Sequence, residues 1–503
     1  MSPSSAGGLA SPLRARRRIL GCGRLAACAA ALAAATGCNA LALPAPPPTA
    51  FTSFSAENVP GLTERPAGGG HGGDGFTVQG SIPEIPNAEP LTERLTEIVD
   101  REAADFRDAF EEAERLEVDW ELTAAGEGAV GVRTIRTEVD HRGSHDAYSS
   151  YYYDVGTGRT AYATELLAGD AELRELNGLV AAELAGTPAD PGLLHPGFRL
   201  YDSIGFNADG DLVVEFDAGD VAPIEEGRVA AAVAAEDARP LLSGLGERVL
   251  AASDADPHAF SVDSPPEETP PPDAEVPGSA PGGEDHACGT ETTCVALTFD
   301  DGPSENTGEV LDLLAQHDAE ATFFLSGHAI RERPAMVGRV WAAGHAVGGH
   351  GESHEPFPDL SRGELESELD AVDALIRRRT GEQVGILRPP FGETDETVSD
   401  VAAEHGQAQI VWDTDSKDWT GISSEEIAAN VASFTPPGGL VLMHDTERTT
   451  AEALPEILDH YESQGWTLVT VPDLLGDAEP GGVYYSSDPV ANEECIRLDG
   501  CPT

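Results

Sequence analysis

From Cys294 onward, short apolar runs alternate regularly with amphipathic segments, and this alternation constrains the fold more than any other feature of the chain. Strand candidates are Val295 to Phe299, Ala321 to Leu325, Ile386 to Arg388, Gln409 to Trp412, Leu440 to Met443 and Trp466 to Val471. Helical periodicity fills the intervals near 306–316, 333–343, 361–379, 395–405, 423–432 and 450–464. Parallel neighbours in a sheet need a crossover long enough to be a helix, so strict alternation predicts an α/β fold with a parallel sheet, open or closed into a barrel.

The other segments are organised around that region. At 503 residues the chain exceeds one ordinary core, which predicts two folded domains with linkers. Residues 1–38 read as an export signal: Arg14, Arg16, Arg17 and Arg18 precede a short Ala-rich run from Leu25 to Ala35. The run closes in Ala35-Thr36-Gly37-Cys38, which resembles a lipobox and points to a lipid anchor on Cys38, with a simple cleaved signal as the alternative. Residues 39–80, rich in Pro, Gly, Ala and Ser, are expected to be a flexible tether, and 251–290, with Pro265-Pro266 and Pro270-Pro271-Pro272, a second linker.

Between the linkers, residues 81–250 open with a helical pattern (Leu91, Leu95, Ile98, Phe106, Phe110) and continue as alternating stretches, Thr134 to Val139, Ala147 to Asp154 and Leu212 to Phe216. This predicts a smaller α+β domain. Its last part, from Ser203 to Leu250 with Val213-Val214-Glu215-Phe216 and Val221-Ala222-Pro223, loosely resembles the extracellular domain of the RsiV anti-sigma factor. That resemblance implies a wall ligand or lysozyme as partner, against a plain spacer role. Residues 476–503 are expected to form a tail carrying a Cys pair.

Thirty basic against 89 acidic residues give a formal net charge of -59, which sets nucleic acid aside as a partner and predicts a solvated, self-repelling surface. Of seven cysteines, Cys22, Cys28 and Cys38 fall in the export segment. Cys288, Cys294, Cys495 and Cys501 remain for two disulfides, either as two local loops or as links between the pairs.

Polar residues of catalytic type stand at the ends of several predicted strands. Thr298-Phe299-Asp300-Asp301-Gly302-Pro303 puts two carboxylates in succession, which are useful together only if the backbone turns there, and Gly302-Pro303 is expected to supply the turn. His350-Gly351-Glu352-Ser353-His354 spaces two imidazoles by four, which on a helical turn would place both on one face to bind one metal ion. Arg388-Pro389-Pro390-Phe391-Gly392, Asp415-Ser416-Lys417-Asp418-Trp419 and Leu442-Met443-His444-Asp445 follow in order.

These five motifs in this order closely resemble those of carbohydrate esterase family 4, the NodB-type polysaccharide deacetylases, over about residues 290–475. The resemblance implies a deformed (β/α) barrel with seven or eight strands over 291–475. It also implies a site: Asp301, His350 and His354 as metal ligands, suited to Zn with Co, Mn or Ni as replacements. Asp300 would be the general base, paired with Arg388, and His444 the general acid, oriented by Asp418. The backbone N–H of Phe391 would face the oxyanion, and Trp419 and Leu442 would line a pocket for the acetyl methyl group, with core packing as the alternative for these two. Asp415 and Asp445 stay outside the set.

Gly351 and Gly349 depart from the Ser or Thr and the Asn usual in the family, which is expected to loosen the metal loop, and Glu352 adds a carboxylate beside the ligands. The function implied is metal-dependent N-deacetylation of an amino-sugar polymer, peptidoglycan of the cell wall first, with chitooligosaccharides or acetylated xylan as alternatives. A reading of another class is a non-catalytic sensor that binds a wall ligand or lysozyme.

Overall fold

The computed structural model describes residues 49–68, 75–110, 112–256, 288 and 292–498. The export segment, Cys38, Cys501 and most of the second linker lie outside these residues. No helix among the described residues is long and apolar enough to cross a membrane.

The first domain is built on a six-stranded sheet in sequential order: Thr63–Pro66, Thr77–Glu84, Ala113–Ala125, Ala129–Asp140, Gly143–Asp154 and Arg159–Tyr162. All neighbours are antiparallel except Thr77–Glu84 with Ala113–Ala125, which run parallel because helix Glu89–Ala109 crosses between them. Both faces of the sheet are covered. Tyr151 and Tyr153 join Leu91, Leu95, Ile98 and Phe106 of the helix, whereas Tyr152 points into a second core with Leu176, Val180, Leu212 and Val214. Alternate residues of one strand thus serve two cores, the period-2 logic of a sheet buried on both sides. A three-stranded antiparallel sheet, Ile204–Phe206, Leu212–Phe216 and Val229–Val233, supplies part of that second core.

Residues 49–80 are not wholly tether, because Thr63–Pro66 pairs with Thr77–Glu84 and Phe54 bridges to Leu122. Val59, Ala67 and Phe76, apolar anchors scattered among the glycines, are buried in the core and hold the segment down. Residues 476–498 are likewise more than a tail: Val483–Tyr484 adds an outer strand to the parallel sheet of the second domain and is followed by helix Pro489–Leu498.

The second domain holds eight parallel strands in the order Thr414–Asp415, Leu440–His444, Cys294–Asp300, Thr322–Leu325, Ala346–Gly349, Ile386–Leu387, Ala408–Ile410 and Val483–Tyr484, with Thr467–Leu468 paired to the start of Cys294–Asp300. One stretch closes the figure. Ala408–Ile410 pairs with Ile386–Leu387, and a few residues later Thr414–Asp415 pairs with Leu440–His444 at the other end of the order. The same run therefore supplies one end strand of the sheet and the last but one strand at the other end, and it curls the sheet into a deformed (β/α) barrel. Ala346–Gly349 ends in two glycines and so shows no apolar run in the amino-acid sequence.

Along Cys294–Asp300 the alternation is strict. Val295, Leu297 and Phe299 pack outward against the helices, and Ala296 lies in a separate small cluster with Phe324, Ile410 and Leu440. Thr298 and Asp300, in phase with Ala296, face the interior. The disulfide Cys288–Cys294 is local, spanning six residues at the entry to this strand. Cys495 is disulfide-bonded as well.

Candidate active site

The residues singled out by the five motifs converge at the C-terminal ends of the barrel strands, where this architecture gathers its functional groups. Asp300 ends its strand and is 2% exposed. Its register partner on one side is His444, the last residue of Leu440–His444. Side chains in register on parallel neighbours point to the same face, so the carboxylate and the imidazole stand side by side.

Arg388 lies wholly buried inside the barrel, and all three nitrogens of its guanidinium are engaged. One Nη1 donates to Asp300 Oδ1 at 2.7 Å and to Thr298 Oγ1 at 2.6 Å, Nε donates to the carbonyl of Ile410 at 3.0 Å and Nη2 to that of Val411 at 2.8 Å. The plane lies over the Phe324 ring at 4.3 Å. Burial holds the Arg388 pKa below its ordinary value, against the opposing pull of Asp300. A fork with this many fixed partners cannot swing, so it fixes the Asp300 carboxylate in turn.

Asp301 leaves the strand direction through its own backbone, with φ of 69°, so the turn falls one residue before the expected Gly302-Pro303. That conformation sends the second carboxylate toward His350 and His354. Asp301 Oδ1 lies 3.4 Å from His350 Nε2 and 3.2 Å from His354 Nε2. Burial acts to raise the Asp301 pKa, but the two imidazoles bring it down to about 2. His354 is itself held below its ordinary value by burial and by His350.

The expected helical turn under the two histidines is not there. Gly351 and His354 take left-handed backbone angles, φ of 74° and 58°, and residues 350–356 form a loop. The imidazoles meet because the loop folds back, ring centres 5.0 Å apart. Gly351 has a conformational reason to be glycine, since a Cβ would be strained at that φ and would meet Phe357 at 3.0 Å. Gly349 has no such need, a Cβ there meeting only ordinary contacts.

The three side chains fit a divalent cation. Their ligand atoms lie within 4.8 Å of one another. Asp301 Oδ1 is buried with no hydrogen-bond donor, an expensive state for a carboxylate oxygen unless a cation faces it. His350 Nδ1 donates to the carbonyl of Arg388 at 2.7 Å, which leaves Nε2 as the nitrogen available to a cation.

His444 is held by Asp418, a fully buried carboxylate that accepts four hydrogen bonds. These come from His444 Nδ1 at 2.9 Å, His444 N–H at 2.7 Å, the Thr450 hydroxyl at 2.6 Å and the Trp419 N–H at 2.9 Å. Burial works to raise the Asp418 pKa, yet these donors keep it below its ordinary value. On His444 burial works downward, and the bond and charge of Asp418, helped by Asp300 and Asp301, carry the imidazole up to about 9. At neutral pH the ring is therefore an imidazolium.

Phe391 stands at φ of 62° with its ring against His354 at 4.7 Å, and it is 58% exposed. Trp419 is equally exposed, its indole N–H reaching Asp415 at 3.4 Å, whereas Leu442 is buried. Three contributors stand outside the predicted set: Thr298 beside Arg388, Thr450 on Asp418, and Glu368, which accepts from the Glu352 and Ser353 N–H groups of the histidine loop. Thr298 had a signal, since it precedes Asp300 by one strand period and must share its face. Thr450 and Glu368 sit on helices and carry no motif.

The family model for polysaccharide deacetylase matches residues 288–410. A peptidoglycan-N-acetylglucosamine deacetylase of Bacillus cereus is 34% identical over 186 residues, 36% of this chain and 68% of that protein. The enzyme of the same description from Listeria monocytogenes is 35% identical over 192 residues, 38% of this chain and 41% of its own length. Among solved structures, a family 4 carbohydrate esterase from Streptomyces lividans in complex with acetate is 32% identical, covering 37% of this chain and 98% of that one, with a TM-score of 0.36.

Proposed function

We propose that this chain, which belongs to the polysaccharide deacetylase family, hydrolytically removes acetyl groups from the amino sugars of peptidoglycan with a divalent cation, zinc first, held by Asp301, His350 and His354. The observation that carries the reading is the orphaned Asp301 oxygen facing two imidazole nitrogens, with Asp300 and His444 in register beside it. Bound there, such a cation would act as a Lewis acid on the attacking water and the acetamide carbonyl. Peptidoglycan is preferred over chitooligosaccharides or xylan because relatives sharing this domain are named for it. An exported, wall-facing location, with Cys38 as a lipid anchor, belongs to the same reading.

Asp300 takes the proton of the attacking water, oriented for this by Arg388. The developing oxyanion would receive the Phe391 N–H, at a residue whose backbone is left-handed. His444, already protonated at neutral pH, gives its proton to the departing amine, without which the nitrogen would leave as an amide anion. Asp418 stabilises that imidazolium and fixes its tautomer. Trp419 and Leu442 would border the acetyl methyl group, the exposed indole face also being free to stack on a sugar ring.

Acetate release from purified peptidoglycan tests the reading, with and without chelator and with Asp300→Asn. Release that chelator stops, zinc restores and the variant lowers by about 10²–10⁴-fold is the expected result. Release indifferent to chelator, or none at all, refutes it.

A further inference from the structure

The loop that carries His350 and His354 accepts backbone hydrogen bonds from Gly327 N–H at the Gly351 carbonyl, 3.0 Å, and from His328 N–H at the Glu352 carbonyl, 3.2 Å, and two side chains that do not touch the cation site hold it further. Glu368, on helix Arg362–Thr380, accepts from the Glu352 N–H at 2.7 Å, the Ser353 N–H at 2.8 Å and the Ser353 hydroxyl at 2.7 Å. Arg331, at the end of helix Gly327–Glu332, donates to the Glu352 carboxylate. Glu352 therefore gives one carboxylate oxygen, Oε1, to an arginine, while Oε2 is buried against Gly327. Gly327 makes room for it, since a Cβ there would fall 1.7 Å from Glu352 Oε2.

Arg331 has a second partner in the other domain. It donates to the carbonyl of Ala109, the last residue of helix Glu89–Ala109, and its guanidinium lies over the Phe110 ring at 5.6 Å. Ala109 itself is fully buried within the barrel's core. The same first-domain helix docks along Arg362–Thr380, where Arg377 donates to Asp105 at 2.6 Å, while Arg378 reaches Glu138 of the first-domain sheet at 2.6 Å. Both fixtures of the loop thus stand on barrel elements against which the first domain is packed.

We propose that Arg331 is a positioning residue of the cation site, and that the first domain braces the His350–His354 loop through Ala109 and Phe110. The inference rests on the cation site proposed above. A loop with left-handed residues at 351 and 354 has no ladder of its own, so its two imidazoles stay aimed only while its backbone is held from outside. The arginine joins the two parts with one rigid fork, its donors divided between a loop carboxylate and an interdomain carbonyl.

Zinc affinity of the full chain, measured by competition with a chromophoric chelator, tests this without reference to turnover. Arg331→Ala and Phe110→Ala should weaken zinc binding by about 10–100-fold, the usual effect of removing partners that orient metal ligands. Glu352→Gln, which keeps the side-chain shape, should weaken it by several-fold. Arg379→Ala breaks an interdomain pair with Asp220 that does not touch the loop, and it should lower the melting temperature without changing zinc affinity. Wild-type affinity in Arg331→Ala and Glu352→Gln overturns the proposal, and an unaffected Phe110→Ala removes the first domain from it. Equal weakening in Arg379→Ala overturns it too, by making the effect one of docking in general. A wild-type chain that binds no zinc overturns the cation site as well as the brace.

Discussion

Asp418→Asn separates the proton-transfer argument from a purely structural one. With Asp418 ionised, the His444 pKa rises from its ordinary 6.5 to about 9, a preference for the imidazolium of about 3 kcal/mol. Burial is the largest influence on His444 and opposes this, so removing the anion leaves only the smaller contributions of Asp300 and Asp301. The imidazole should then return to its ordinary range or below, and at about pH 7.5 only about a tenth of it would stay protonated. Acetate release measured from about pH 5.5 to 10 should show a wild-type alkaline limb near 9 and a variant limb more than about one pH unit lower. The rate at about pH 7.5 should fall at least ~10-fold.

The same substitution has a stability signature. One Asn oxygen and one NH₂ cannot replace two oxygens accepting four donors, and each buried donor left unpaired costs about 1–3 kcal/mol. The His444 pKa is raised in the folded state. Its share of the stability is therefore complete below 6.5 and disappears as pH rises through about 9. The stability gap between wild type and variant should narrow over that interval. A uniform loss of rate with an unmoved alkaline limb would refute the assignment of His444 as the acid held charged by Asp418.

Arg388→Met should lower stability by about 3–5 kcal/mol, read from the denaturant midpoint, because it leaves Asp300 buried without its counter-charge and strands two carbonyls. Gly351→Ala should cost about 1–2 kcal/mol from the left-handed backbone alone, seen as a lower melting temperature, and should weaken zinc binding as the loop shifts. Asp373 is buried on helix Arg362–Thr380, and burial pushes its pKa up to about 7 despite the Gln407 amide that donates to it. The folded state therefore holds its proton longer than the unfolded one, and stability falls as pH rises from about 4 to about 7. Asp373→Asn should raise the melting temperature at about pH 8, an advantage that shrinks toward pH 4.

Much of the second domain was legible because its signals are local. The alternation of apolar runs and helical segments follows from which side chains face helices, and it predicted the parallel sheet. The short strands at Ala346–Gly349 and Val483–Tyr484 stayed hidden because paired glycines or a two-residue length leave no periodicity to read. Disulfide pairing was likewise open on paper, and proximity at the entry of one strand made Cys288–Cys294 local.

The sequence by itself determined which groups this protein can bring to a reaction: two adjacent carboxylates, a pair of histidines, an arginine, and a histidine with a distant aspartate. It could not say how they meet, because each contact joins residues far apart along the chain and depends on strand register and loop path. Register alone sets Asp300 beside His444. Left-handed backbone at Asp301, Gly351 and His354, rather than a helical turn, aims the three ligand atoms at one point. The docking of the first domain on Arg331 was equally invisible, since a backbone carbonyl such as that of Ala109 leaves no mark in the amino-acid sequence.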